Sequence, residues 1–335
     1  MGSLGTALDQ RAERTRFSGV VRVDRDRKTE VLAGYGLADR AHGIAMTPEH
    51  QLGTASVTKG FTALAILSLV AEGALTLATP ARSVLGPDLP AIDDAVTVEH
   101  LLSHRSGIGD YFDESLIESS SDYVMPVPVH QLVTTDDYLP LLAVCTPRAQ
   151  PGTTFAYNNG GFVVLALIAE RVAQTPFHLL VADRVWEPAG MTHTAFLRSD
   201  ELPGTAAVGY LEADGLRTNV LHLPVRGSGD GGAFTTVADM SAFWDALLAG
   251  RIIPERWVVE MLRPRRLPVG EGLGYGLGVW LHADGVLELH GYDAGVSYRS
   301  MHHSGSASTW TIGSNTSGGT GPLEDLLVAD LPPWV

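Results

Sequence analysis

Ser56 and Lys59 stand three residues apart in Gly53-Thr-Ala-Ser56-Val-Thr-Lys59-Gly-Phe-Thr62, which opens an apolar helical run to about Glu72. On a helix that spacing puts both side chains on one face, one turn apart. Ser56 then falls in the first turn, where backbone N–H groups lack helical partners and the dipole favours a developing negative charge. The chemistry open to such a pair is nucleophilic attack, with the hydroxyl as nucleophile and the amine as its base. Only Lys28 and Lys59 are lysines among the 23 basic residues. The rest are arginines, whose guanidinium does not give up its proton. To serve as a base, Lys59 must fall towards neutrality from a pKa of about 10.4, at about 1.36 kcal/mol per unit. Burial at the foot of an apolar helix moves it in that direction. A surface lysine beside a helix-capping hydroxyl is the alternative the same residues allow.

Two further stretches carry candidate chemistry. Phe155-Ala-Tyr157-Asn-Asn159-Gly-Gly-Phe162 sets a tyrosine and an asparagine just before a long apolar helix. Tyr157 could relay a proton, and Asn159 could orient Lys59 or hold a substrate carbonyl. A helix cap with an anchoring aromatic is the plainer reading. Leu287-Glu-Leu-His290-Gly-Tyr-Asp293-Ala-Gly-Val-Ser297 ends a strand in glycine-permitted backbone. It can offer an N–H to an oxyanion and a ring to a pocket wall. A strand-end histidine with its bonds satisfied is the alternative there.

The elements that must position these residues can be read from periodicity. Residues 4–16 predict a short helix, and residues 17–23 and 29–37 alternate as two strands around a charged turn. Helices dominate from Leu75 to Asp230, including 97–104, 136–145, 160–174 and 176–186. A helix capped by Thr235 or Thr236 runs through Leu248, strands follow at 275–281, 286–290, 297–302 and 309–313, and a last helix covers 323–330. Both ends of the chain therefore supply an antiparallel sheet and the middle supplies helices. The expected architecture is α+β, with a discontinuous sheet domain of residues 1–74 and 231–335 and a mostly helical insert at 75–230. Tyr111, Phe112 and Tyr123 of that insert are candidates to shape a pocket.

Length and composition set limits on function. The 335 residues, 45% hydrophobic and 18% charged, describe a folded chain with a sizeable core. A net charge of −15 argues against nucleic acid and anionic membrane surfaces as partners. No run has the length and apolarity of a membrane span, and no secretory leader pattern opens the sequence, so a cytoplasmic location is expected. The single cysteine, Cys145, excludes an internal disulfide and a cysteine-based zinc site, and its apolar neighbours read it as a core filler. The histidines lack metal-binding spacing, and adjacent His302 and His303 read as strand or turn surface. No metal or cofactor is expected. Gly274-x-Gly276-x-Gly278 does not open a helix, which leaves a dinucleotide loop without support.

Taken together the motifs resemble the serine-hydrolase superfamily that contains class C β-lactamases, D-stereospecific aminopeptidases, DD-carboxypeptidases and family VIII carboxylesterases. Ser56-Val-Thr-Lys59 matches S-x-x-K. Tyr157-Asn-Asn159 matches Y-x-N, and Leu101-Leu-Ser-His-Arg-Ser-Gly107-Ile108 matches a recurrent stretch of the group. Gly231 to Asp239 is similar to the loop and helix that follow the insert, and His290-Gly291 falls at the third motif. The resemblance covers nearly the whole chain. It implies a β-lactamase/transpeptidase-like fold and an acyl-enzyme on Ser56, with Lys59 and Tyr157 moving protons, the N–H groups of Ser56 and Asp293 holding the oxyanion, and Asn159, His290 and Asp293 placing the substrate. A small ester, amide or thioester is the implied substrate. The implied activities are carboxylesterase-like hydrolysis, D-aminopeptidase or amidase chemistry, or transfer to an acceptor other than water, with a non-catalytic binding relative as the remaining class. Where class C enzymes carry K-T-G, this chain has His290, and Tyr292 takes the place of the final glycine. That loses a cation for a substrate carboxylate and makes efficient β-lactam hydrolysis an unexpected activity.

Overall fold

The computed structural model describes residues 3–114, 124–267 and 273–330. Tyr123 lies outside them. Seven strands form one antiparallel sheet: β1 (Gly19–Arg25), β2 (Lys28–Tyr35), β3 (Gly274–Tyr275), β4 (Trp280–Leu281), β5 (Val286–Asp293), β6 (Val296–His303) and β7 (Ser308–Ser314). Their order across the sheet is β2-β1-β7-β6-β5-β4-β3. The N-terminal hairpin is joined to the C-terminal strands through β1 and β7, with Gly19 opposite Ser314 and Asp24 opposite Thr309. The expected single strand over 275–281 is instead the pair β3 and β4, because Gly278 takes a left-handed φ of 79° and turns the chain between them.

Alternation along the strands sends side chains to two different helical layers. On one face, Val21, Val23, Trp310 and Ile312 bury against Leu4 and Leu8 of α1 (Ser3–Thr15) and Leu323 and Leu327 of α5 (Gly321–Asp330). On the other, Val20 and Tyr298 meet α2 (Thr58–Ala71) and α4 (Val237–Leu248), where Trp244 Nε1 donates to Ser300 Oγ at 2.9 Å. Helix α2 is buried through residues 58–70, as expected for a helix apolar on every side. It packs against α3 (Asn159–Ala173), which is also almost wholly buried. Between Ala81 and Ala189 the described residues supply helices and helical turns and no strand of the sheet.

Three departures from the sequence reading have local causes. The helix expected over 136–145 is a 3-10 turn, Thr135–Tyr138, followed by a short helix, Leu139–Ala143, with Pro140 in its first turn. Cys145, beyond its end, is only half-buried. His302 is buried, its Nδ1 paired with Thr309 Oγ1 at 2.8 Å across β6 and β7.

A charged group is also sealed in the sheet. Glu288 of β5 is 0% exposed and contacts His282, His290 and Arg299, with Arg299 reaching on to Glu324 of α5 at 2.8 Å. Burial pushes this carboxyl up, but hydrogen bonds from both histidines and the charge of Arg299 prevail and hold it well below the usual range. Its contribution to stability is therefore full above the unfolded glutamate pKa of about 4.3 and fades as pH falls towards its folded value. Glu288→Gln removes the charge shared by His282, His290 and Arg299, leaves the arginine with Glu324 alone, and is expected to cost about 3 kcal/mol. Urea unfolding at neutral pH measures it, and a loss under about 1 kcal/mol would mean the ion cluster contributes little.

Candidate active site

Ser56 is held at the mouth of a helix by strain and by sheet contacts. Thr54 N–H donates to Ala233 C=O at 2.9 Å, and Leu52 and Gly53 pair with Thr235 and Phe234. Ala55 adopts φ 45°, a left-handed conformation that non-glycine residues seldom take, and this turns the chain into the 3-10 turn Ala55–Val57 that leads into α2. Ser56 consequently has its N–H among the first-turn donors that no helical carbonyl reaches.

Lys59 lies one turn deeper and is 2% exposed. Its Nζ is 2.8 Å from Ser56 Oγ, 2.7 Å from Asn159 Oδ1 and 2.7 Å from the Asp230 carbonyl. A neutral amine has two N–H bonds and one lone pair. With Asn159 Oδ1 and the Asp230 carbonyl accepting two N–H groups, the third position of the nitrogen faces the Ser56 hydroxyl, and in the neutral amine that position is the lone pair. Burial lowers the Lys59 pKa, opposed by the more distant carboxylates of Asp230, Glu114, Asp110 and Asp293.

Helix α3 brings the other two candidates. Asn158 caps it, its Oδ1 accepting from Gly161 N–H at 2.6 Å, while Asp110 accepts from the N–H groups of Asn159 at 2.7 Å and Gly160 at 2.8 Å. Burial pushes Asp110 up to about 6 against those bonds. Asn159 Nδ2 donates to Phe112 C=O at 2.8 Å and Glu114 Oε1 at 3.0 Å, which fixes its Oδ1 on Lys59. Tyr157 faces the Ser56 hydroxyl, with Lys59 Nζ 4.9 Å from its ring centroid. Its pKa is raised well above the ordinary tyrosine value, chiefly by burial, so the phenol stays protonated and can pass a proton along. His104 stacks on it at 4.4 Å between centroids. That imidazole accepts Asn158 N–H at Nδ1, which leaves Nε2–H to donate to Tyr275 OH at 3.1 Å, and burial keeps it neutral.

Strand β5 closes the site through Gly291 rather than His290. A Cβ at Gly291 would sit 2.4 Å from both Ser56 N and Thr54 O, so only glycine lets the strand lie this near. Leu289, two residues back on the same face, packs on Gly60 of α2. Glu288, His290 and Tyr292 point the other way: the His290 ring meets Glu288, and Tyr292 OH donates to Glu324 at 3.0 Å. His290 reaches the site only at second hand, stacked on Trp280, which stacks in turn on Tyr157. Backbone polarity gives a second correction. His282 N–H donates to Val286 C=O, and the β5–β6 register runs without a shift from Val286 to Asp293, so odd-numbered residues bond to β6. Asp293 thereby spends its N–H on Val296 across the two-residue turn. Tyr292, not Asp293, points its N–H off the strand beyond the end of β4, where no ladder partner takes it.

The site opens on a cleft lined by Ser56, Asn159, Asp230, Asp293 and the apolar Phe112, Met125 and Leu223. His290 is not among its lining residues. Tyr111 also lines it and donates to Asp230 Oδ2. Asp110, Glu114, Asp230 and His104 were not singled out as site residues from sequence. His104 sits inside the quoted 101–108 motif and Asp230 inside a glycine-rich loop, which are the signals that could have found them. Among the described residues no group of three or more His, Cys, Asp or Glu is arranged to hold a metal ion.

A family model described as Beta-lactamase matches residues 5–321. The chain belongs to the beta-lactamase family. Members of this family are serine hydrolases, with esterase and aminopeptidase activities among them. The chain is 28% identical over 287 residues to a D-aminopeptidase of Brucella anthropi, covering 82% of this chain and 51% of that one. It is 31% identical over 218 residues to esterase EstB of Burkholderia gladioli, covering 62% and 54%. The chain thus spans about half the length of these two curated relatives. The crystal structure of a penicillin-binding protein from Bacillus halodurans superposes with a TM-score of 0.90 at 34% identity, covering 96% of this chain and 99% of that chain.

Proposed function

We propose that this chain is a serine hydrolase that forms an acyl-enzyme at Ser56 from a small ester or amide, in the manner of a carboxylesterase. The observation that carries this reading is the Lys59 amine, buried and set between the Ser56 hydroxyl and two carbonyl oxygens. Lys59 takes the Ser56 proton as Oγ attacks the carbonyl carbon, and the oxyanion is received by the N–H groups of Ser56 and Tyr292. Tyr157 hands a proton to the leaving group as the carbon–oxygen or carbon–nitrogen bond breaks, and the proton on Lys59 passes to Tyr157, which leaves the amine neutral again. Water, deprotonated by the same pair, then releases the acid and restores the hydroxyl. The esterase and aminopeptidase names among the relatives support the same bond class.

Intact-protein mass after brief incubation with p-nitrophenyl acetate tests the acyl-enzyme. The wild type is expected to gain an acetyl group and Ser56→Ala to gain none; equal labelling of both would remove Ser56 from the role. Benzylpenicillin offered in parallel is expected to give a slow or persistent adduct without rapid turnover. The pH dependence follows from Lys59. Because the active form is the neutral amine, kcat/KM is expected to rise with pH through a pKa below the ordinary lysine value and to be low wherever the amine is charged. A profile that falls with rising pH across about 5 to 9 would contradict a lysine base.

A further inference from the structure

We propose that His104 is a positioning residue for Tyr157: it holds the phenol against Ser56 and passes no proton itself. The inference rests on the Ser56 hydrolase reading, in which Tyr157 is the proton donor to the leaving group. Tyr157 lies in an irregular stretch, residues 154–158, where no helix or strand ladder fixes the backbone. His104 supplies anchors on both sides of it. The His104 carbonyl accepts Ala156 N–H at 2.9 Å, and its Nδ1 accepts Asn158 N–H at 3.1 Å. Between those two bonds the imidazole lies on the Tyr157 ring, 4.4 Å between centroids and 36° between planes. One residue thus grips the tyrosine by both neighbouring peptides and by its ring. The phenol oxygen has to serve both Ser56 and a leaving group, so its direction depends on where that ring lies.

The backbone of His104 is a second observation. It is the residue after the cap of the short helix Val98–Leu102, and its φ is 55°. Glycine serves best at that left-handed place, where a side chain adds strain. What the ring contacts, rather than how the helix ends, accounts for a histidine there. The ring is itself fixed, since Nε2–H donates to Tyr275 OH at 3.1 Å. Burial, and then the charge of Lys59, lower its pKa, so the imidazole stays neutral and does not compete for the proton of the phenol.

The test separates proton donation from a general loss of structure by the leaving group. p-Nitrophenyl acetate releases an anion that needs no proton, ethyl acetate releases an alcohol that must take one, and both give the same acetyl-enzyme. His104→Asn keeps an acceptor at the place of Nδ1 and tolerates a left-handed φ, but it removes the ring. It is expected to lower kcat/KM for ethyl acetate at least about tenfold more than for p-nitrophenyl acetate, in the same direction as Tyr157→Phe. Tyr275→Phe removes only the hydroxyl that holds Nε2–H, and it is expected to shift the same ratio about threefold. A ratio read within one variant is blind to the fraction of protein folded, whereas a histidine that merely fills the core predicts equal losses on both esters. Equal losses in His104→Asn, or in Tyr275→Phe should His104→Asn not fold, with all turnover lost in Ser56→Ala, overturn the role of His104 and leave the hydrolase reading intact. Turnover that survives Ser56→Ala overturns both.

Discussion

Lys59→Arg is expected to lose nearly as much activity as Ser56→Ala, on the order of 10⁴-fold in kcat/KM, although it keeps the positive charge. Lys59 Nζ sits where a neutral amine satisfies two carbonyls and leaves a lone pair for the serine. A guanidinium has no lone pair to offer and stays protonated at every working pH. The larger planar head must also fit a space already filled by Asn159 and the Asp230 backbone. Steady-state rates with an activated ester, together with intact mass, measure the effect. If Lys59→Arg still acylated within about tenfold of the wild-type rate, lysine would be a positioning cation and the proton would have to leave by another route.

Gly291→Ala is the second large effect, and it is a change of one methyl group. The added carbon would stand 2.4 Å from Ser56 N and 2.4 Å from Thr54 O. Both are backbone atoms, held in turn by the Thr54–Ala233 contact, so neither can swing aside as a flexible side chain would. Either β5 or the Ser56 turn must move, which separates the two N–H groups meant for the oxyanion. Loss of one such donor costs about 10²–10³ in kcat. Overpacking adds about 1–3 kcal/mol of destabilisation. The expected result is a protein with a lowered melting temperature whose kcat falls at least about a hundredfold while Lys59 remains in place. Near-normal kcat in a folded Gly291→Ala protein would mean that the strand does not contribute to oxyanion binding.

What the sequence disclosed divides along a physical line. Ser56, Lys59, Tyr157 and Asn159 were legible because their relations are local: an i, i+3 pair on a helix and two residues at a helix start. The strands were legible as segments because alternation marks them. Which residue of β5 faces Ser56 was not, because a shift of one position along a strand exchanges its two faces. That is why His290, matched by type to the third motif, lies on the Glu288 side, while Gly291 meets the backbone of the nucleophile. Asp110, Glu114 and Asp230 were illegible for another reason. Each acts through partners far along the chain, such as the Asn159 N–H for Asp110, and apart from the glycine-rich loop around Asp230 nothing in the adjacent sequence announces a distant partner.

The pairing of β1 with β7 joins segments almost a chain length apart, with Gly19 opposite Ser314. Strand β5, which completes the surroundings of Ser56, is also made late in synthesis. A growing chain therefore carries the apolar helix α2 for most of its synthesis without the sheet that covers one side of it. Non-local pairing of this kind slows folding and leaves apolar surface open to aggregation in the meantime. Hydrolytic competence should accordingly emerge in one late step, when the C-terminal hairpin docks, and partial chains should depend on chaperones rather than show partial activity.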